Sequence, residues 1–417
     1  MCSQWTYLGT DDRYNRDTPM RVRPRALLHK NPEEAIVPLY AASLLLIFHS
    51  FVVAYINSSY LEQFIDAAGV GTMYTLGSAL TVLIFLFISR VLKSVGNRRL
   101  TVGLLLVNLL AVTGMAFAES LRTAVPLFLL HIITIPLLVF NIDVFMERII
   151  GGNEGVTGSR RGLLLTLMSF IGALAPFIST QVVNSSDNEF GNAYLLSAAT
   201  LIPVLAIFIF FFKNFTDSPY DEIHFFRALG RFWEQRSIRS VLLAHFVLQM
   251  FFMFMVVYTP LYLTGEIGLT WAQFGIVMFF AQLAYVFLEY PAGVVADRYI
   301  GEREMMGFGF LVIALAVASF SFVTSATVWL WALIMFASRV GASLVEVTTE
   351  SYFFKYTKSS DAQVISFFRI TRPLAYVVGA MIASLALLYL PFNLLFVVIA
   401  LLMVPALFLT LNIVDSK

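Results

Sequence analysis

Glu289-Tyr-Pro-Ala-Gly-Val-Val-Ala-Asp-Arg-Tyr-Ile-Gly-Glu-Arg303 closes one long apolar run and sits just before another. It reads as a cytoplasmic hinge between two membrane helices. Gly293 lets two backbones approach closely, Asp297 places an anion where it can meet a neighbouring helix N-terminus, and Gly301 breaks the helix before Glu302 and Arg303. Composition supports that reading. Of 417 residues 59% are hydrophobic and 13% charged, and the mean hydropathy is +0.82, values that exclude a soluble globule and describe a multi-span membrane protein.

Crossing the hydrocarbon core takes about 20 apolar residues in a helix, and twelve such stretches are found. They lie near 35-56, 67-89, 100-118, 123-146, 162-183, 192-212, 239-263, 271-295, 305-324, 326-348, 363-388 and 391-412. No cleavable leader pattern precedes the first, so it reads as a retained span. Of the 27 Lys and Arg residues, 23 fall on the side of the N-terminus, one (Arg122) falls in an opposite loop, and Arg339, Arg369 and Arg372 lie inside spans. That asymmetry predicts cytoplasmic termini and a multi-pass protein of the cell membrane. The expected organisation is a cytoplasmic tail over 1-34, a six-helix half over 35-212, a linker over 213-238, a second six-helix half over 239-412, and a short cytoplasmic tail over 413-417.

The hinge follows the pattern G-x-x-x-D-R-x-x-G-x-R at Gly293, Asp297, Arg298, Gly301 and Arg303, with one residue more before the second glycine than in the commonest form. In these residues the chain resembles the major facilitator superfamily. The resemblance implies an all-α integral membrane fold of twelve transmembrane helices in two pseudo-symmetric halves that face each other across a central cavity. Internal repetition agrees: Gly96-Asn97-Arg98 matches Gly301-Glu302-Arg303, and Asp143 and Glu147 match Glu346 and Glu350 at nearly the same offset. In the first half the hinge is degenerate, with Ile88 and Leu92 where glycine and aspartate are expected.

Charges inside spans carry the functional reading, because each costs about 2.5–3.5 kcal/mol unless a cavity or a partner receives it. Arg339, Glu346 and Glu350 follow i, i+7, i+11 on the tenth span, which puts them within roughly 40° of one another as one polar stripe. Arg339-Val340-Gly341 also resembles a membrane-embedded arginine-and-glycine pattern of the family. Gln282, Tyr285 and Glu289 form a stripe on the eighth span, and His245 and Gln249 an i, i+4 pair on the seventh. The candidates for substrate or proton coupling are Glu289, Arg339, Glu346, Asp143, Gln249 and Gln282. The candidates for a cytoplasmic gate and hinge are Gly293, Asp297, Arg298, Gly301, Arg303, Glu147, Glu350, Arg369 and Arg372, with Arg369 and Arg372 expected to pair with Glu346 and Glu350. His49 and His245 are expected to be hydrogen-bonded interior histidines.

One cysteine, Cys2, excludes a disulfide framework, and five scattered histidines show no metal-ligand spacing. No cofactor, metal or nucleic acid is expected, and the partners are a small-molecule substrate, a proton and the lipid bilayer around a monomer. The chain carries no phosphate-binding loop and no hydrolase signature, so it reads as a secondary transporter rather than an enzyme. It is expected to move a small solute by alternating access, driven by protons, with export of amphiphilic compounds as the use that its aromatic content fits. A carboxylate serves for coupling because in a low-dielectric cavity it favours its protonated form, whereas water or a nearby cation restores the charge. The alternative is a non-transporting receptor or scaffold of the same fold, suggested by the degenerate first hinge.

Overall fold

The computed structural model describes residues 32–150, 154–185, 190–215, 217, 230, 233–356 and 362–414, with side chains at all but 32–34, 89, 147, 150, 154–163, 165–166, 297–298, 354–356 and 362–367 of these. Nearly all of the expected tail 1-34, most of the linker 213-238, and the side chains of Glu147, Asp297 and Arg298 lie outside the described residues.

Among the described residues, twelve helices are long and apolar enough to span a bilayer. They are α1 Pro32–Ala54, α2 Ala67–Val95, α3 Asn97–Met115, α4 Leu121–Ile150, α5 Glu154–Asn184, α6 Gly191–Phe210, α7 Arg236–Pro260, α8 Trp271–Arg298, α9 Glu302–Phe320, α10 Val328–Tyr356, α11 Ala362–Tyr389 and α12 Phe392–Thr410. Each expected span falls on one of them. Two are extended by a further segment: a short helix Asn57–Glu62 follows α1, and a π-helical turn Leu261–Glu266 prolongs α7.

Helix starts follow local chemistry. Asp66 accepts a hydrogen bond from the Gly69 amide at 2.8 Å and so caps α2, and Thr270 and Gln273 exchange reciprocal bonds in a capping box that starts α8. Gly96, which ends α2, and Gly301, which immediately precedes α9, lie at φ +86° and +115°, backbone that glycine adopts without strain. The first residue of the next helix follows at once, so both junctions are sharp.

Packing repeats with a shift of six helices. In the first half α1 packs on α4, α5 and α6, α3 on α4 and α6, and α2 on α4; in the second half α7 packs on α10, α11 and α12, α9 on α10 and α12, and α8 on α10. The halves meet along two seams, α2 with α11 and α5 with α8, which exchange under the same shift. Polar contacts lie at both ends of these seams. Toward the face where α1 begins and α12 ends, hereafter the basic face, Arg369 on α11 bonds Asp143 on α4 and Ser169 on α5 bonds Glu289 on α8. Toward the opposite face, Ser384 on α11 donates to the Ala68 carbonyl at 3.0 Å and the Ala272 amide on α8 donates to Asn184 at 3.4 Å.

Candidate functional site

Two glycines set the orientation of α10. A methyl group on Gly341 would lie 2.5 Å from the Gly309 carbonyl oxygen, and one on Gly309 would lie 2.7 Å from that of Gly341, so α9 and α10 touch backbone to backbone there. Arg339, two residues before Gly341, is turned about 200° around the helix and therefore faces away from α9. This direction leads to the centre of the molecule. The side chain is 1% exposed, near the middle of its span.

What surrounds Arg339 is aromatic and amidic. Its guanidinium lies 5.3 Å from the centre of the Phe251 ring on α7, and the Tyr55 phenol, just beyond α1 in the other half, is within its polar reach. Gln282 Nε2 on α8 donates to Tyr55 Oη at 3.3 Å, joining the two halves. Around this contact Arg339 Nε and Nη1, Gln282 Oε1 and Tyr285 Oη are buried with no hydrogen-bond partner among the described residues. Unpaired polar atoms of this kind each cost about 1–3 kcal/mol. Four of them lie in one neighbourhood, which makes it the candidate site.

Between this centre and the basic face lies a cluster of acids. Glu346 is in electrostatic contact with Glu350, Glu289, Arg372 and Arg369, and Glu289 accepts a bond from Ser169 at 2.9 Å. The expected pairing of Arg369 with Glu346 or Glu350 is not its closest: Arg369 Nε is 3.0 Å from Asp143 Oδ2, across the seam between α11 and α4. A carboxylate on a facing helix meets a guanidinium more directly than one reached across the same half. Arg372 lies 5.9 Å from the Tyr376 ring one turn along α11. Counting Asp143, Glu289, Glu346 and Glu350 against Arg369 and Arg372, the fully ionised cluster has two negative charges in excess.

The remaining expected residues occupy three settings. Gln249, 6% exposed, meets His245 Nε2 at 3.2 Å and leaves its Oε1 unpaired; His245 also approaches Thr349 and lies against the Phe368 ring. Arg303 and Glu304 form a 4.0 Å pair with both side chains about half exposed, a contact of little energy. At Gly293 a methyl group would meet Val347 at 3.5 Å, an ordinary contact, so the tight backbone approach expected there is found at Gly309 and Gly341 instead.

In the first half a chain of four buried polar side chains joins four helices. His131 Nδ1 lies 2.8 Å from Asn108 Oδ1, Asn108 Nδ2 2.9 Å from His49 Nε2, and His49 Nδ1 2.7 Å from Ser197 Oγ, which itself lies 3.1 Å from the His49 carbonyl oxygen. With each histidine protonated on Nδ1 alone, every contact in the chain pairs one donor with one acceptor. All four side chains are buried, and they tie α4, α3, α1 and α6 together. His49 is thus the hydrogen-bonded interior histidine expected, but the chain also includes His131, Asn108 and Ser197. Tyr55, Tyr74 and Tyr376 are further central residues that hydropathy does not single out.

The first hinge carries its own acid. Asp217, beyond α6, accepts the Asn97 amide at 3.0 Å at the start of α3, and a side chain on Gly96 would collide with this carboxylate. Arg98 donates to the last carbonyls of α6 at Phe208 and Ile209, favourable for a cation at a helix C-terminus.

Residues 241–416 match the model of the Major Facilitator Superfamily. Among solved structures, a variant of the nucleoside transporter NupG superposes with a TM-score of 0.73 at 12% identity, over 90% of this chain and 99% of that one. A second NupG structure gives 0.69 at 13% identity, over 90% and 98%. A structure described as giving insight into substrate recognition in proton dependent oligopeptide transporters gives 0.71 at 12% identity, over 91% and 98%. At these identities the likeness establishes the fold. No curated protein matches the chain by sequence.

Proposed function

We propose secondary active transport of a small amphiphilic solute, coupled to protons, for a chain whose residues 241–416 match the model of the Major Facilitator Superfamily and whose fold is like that of solved transporters over about nine-tenths of its length. The observation that carries this reading is the set of buried, unpaired polar atoms on Arg339, Gln282 and Tyr285 at the seam between the halves. A rocking motion of one half against the other exposes such a site to each face in turn. The aromatic rings of Phe251, Tyr55 and Tyr285 suit the apolar part of an amphiphile. Export is the direction proposed.

The acid cluster supplies the coupling. Its two excess negative charges are made good by protons when the cluster is closed from water, and released when it opens. Glu346 and Glu289 are the proposed carriers, while Asp143 with Arg369, together with Glu350 and Arg372, forms the gate that latches the basic face. Asp297, Arg298, Gly293, Gly301 and Arg303 form the hinge of the second half, and Glu147 belongs to the gate. The basic face is proposed to be cytoplasmic, with the linker at 213-238 on that side, the protein a monomer in the cell membrane, and the halves bounded at 212 and 239. Asp217 at the start of α3 speaks against a non-transporting relative, since the carboxylate missing from the first-half motif is supplied from further along the chain.

The test is solute flux into proteoliposomes under an imposed pH gradient. Wild type should accumulate solute against its gradient only when the proton gradient is present, and Glu346→Gln should equilibrate solute without concentrating it. Flux that ignores the pH gradient in the wild type refutes proton coupling.

A further inference from the structure

Resting on the reading of the region around Arg339, Gln282, Tyr285 and Tyr55 as the solute site, we infer that the solute is an organic anion, whose oxyanion group serves as the counter-ion of Arg339 and whose flat apolar body lies against Phe251, Tyr55 and Tyr285. The first ground is charge. Arg339 brings a guanidinium, is 1% exposed and sits at mid-span, and no described carboxylate is within ion-pair distance. Glu346 lies on the same face of α10 but two turns away, about 10 Å along the axis. The Phe251 ring at 5.3 Å offsets part of the cost through its π-face but accepts no hydrogen bond in the plane of the guanidinium.

The second ground is hydrogen-bonding capacity. Nε and Nη1 together present three N–H groups without acceptors. A guanidinium meets carboxylates and phosphates with charge-assisted bonds that are roughly twice as strong as neutral ones. Tyr285 Oη, buried and unpaired beside it, adds a fourth donor, whereas the one spare acceptor, Gln282 Oε1, suits a hydroxyl or N–H elsewhere on the solute. A cationic solute would meet the like charge of Arg339 at this position.

The third ground is location. Tyr55 belongs to the first half, while Arg339, Gln282 and Tyr285 belong to the second, and Gln282 already bonds Tyr55 across the seam. An anion neutralising Arg339 removes the charge that opposes apposition of the halves there, so binding and closure favour each other.

Thermal unfolding of the purified full-length protein tests this with a matched panel: naphthoate, naphthyl phosphate, the neutral naphthamide, the cationic naphthylmethylammonium, and aliphatic mono- and dicarboxylates. The wild type should be stabilised by one or more anions and not by the amide or the amine. Arg339→Gln should weaken that anion at least about tenfold, Arg339→Lys should restore part of the binding, and Arg339→Gln without ligand should unfold at a temperature no lower than the wild type, since a buried uncompensated charge has been removed. Equal stabilisation by amide and anion, stabilisation by no anion, or anion binding untouched by Arg339→Gln overturns the inference. Lowered stability of ligand-free Arg339→Gln together with unchanged ligand preference assigns Arg339 a structural role and overturns it as well. Anion binding without flux in proteoliposomes leaves the inference standing and removes the transport reading instead.

Discussion

The two halves share one helix arrangement, yet a central polar cluster of each is of a different kind, although buried atoms without partners occur in both, on Asn97 and Asn141 in the first as on Arg339 and Gln282 in the second. In the first, His49, Asn108, His131 and Ser197 form a closed chain in which every member is neutral and paired. In the second, Arg339, Glu289, Glu346 and Glu350 are ionisable, and several of the atoms around them lack partners. A satisfied neutral network rigidifies the helices it joins and has nothing left to offer a solute. On the proposed reading the first-half chain serves as a fixed frame, and the charges on α8, α10 and α11 of the second half carry the cycle.

The largest expected effect separates the halves most sharply. Arg339→Gln should abolish net transport of the solute, by about a hundredfold or more given the strength of a buried charge-assisted contact, with the protein still folded by thermal unfolding. Next, Glu346→Gln should leave solute exchange intact but remove accumulation driven by a pH gradient, read as counterflow that persists while uphill uptake is lost. Asn108→Ala should behave in the converse way. It strands His49 and His131, each losing a partner worth about 1–3 kcal/mol, so the thermal midpoint falls while the pH dependence of transport per folded molecule is unchanged. If Asn108→Ala abolishes proton coupling, the frame-and-worker division is wrong. The smallest effect is expected for Asp217→Ala, which removes one acceptor from the start of α3 and should cost about 1 kcal/mol of stability, measurable as a small shift of the same midpoint.

The spans were legible because an apolar run long enough to cross a bilayer needs no knowledge of its neighbours, and all twelve appear where hydropathy expects them. Arg339 was legible for the same reason in reverse, as a charge that mid-membrane burial makes costly. Partner choice was not. Arg369 meets Asp143 at a separation of 226 residues, and Glu289 meets Ser169 at 120; helical spacing offers only partners on the same or adjacent helices. Tyr55, Tyr74 and Tyr376 escaped because a phenol inside an apolar run reads as another large side chain until the surroundings of its hydroxyl are seen, bonded to Gln282 at Tyr55 and unpaired at Tyr74. Gly293 was favoured over Gly309 and Gly341 because it stands in a motif, whereas close approach depends on which face meets which.

The bond between Asp217 and the start of α3 has a consequence for cutting the chain in two. Residue 217 lies past the last helix of the first half, yet its carboxylate belongs to a helix near that half's beginning. A first half expressed alone and ended at Phe212 would therefore carry a bare α3 N-terminus, while one ended beyond 217 would keep its own cap. Co-expressed fragments broken on the two sides of this residue contain the same twelve spans, but only the longer first fragment brings every contact of its first hinge with it.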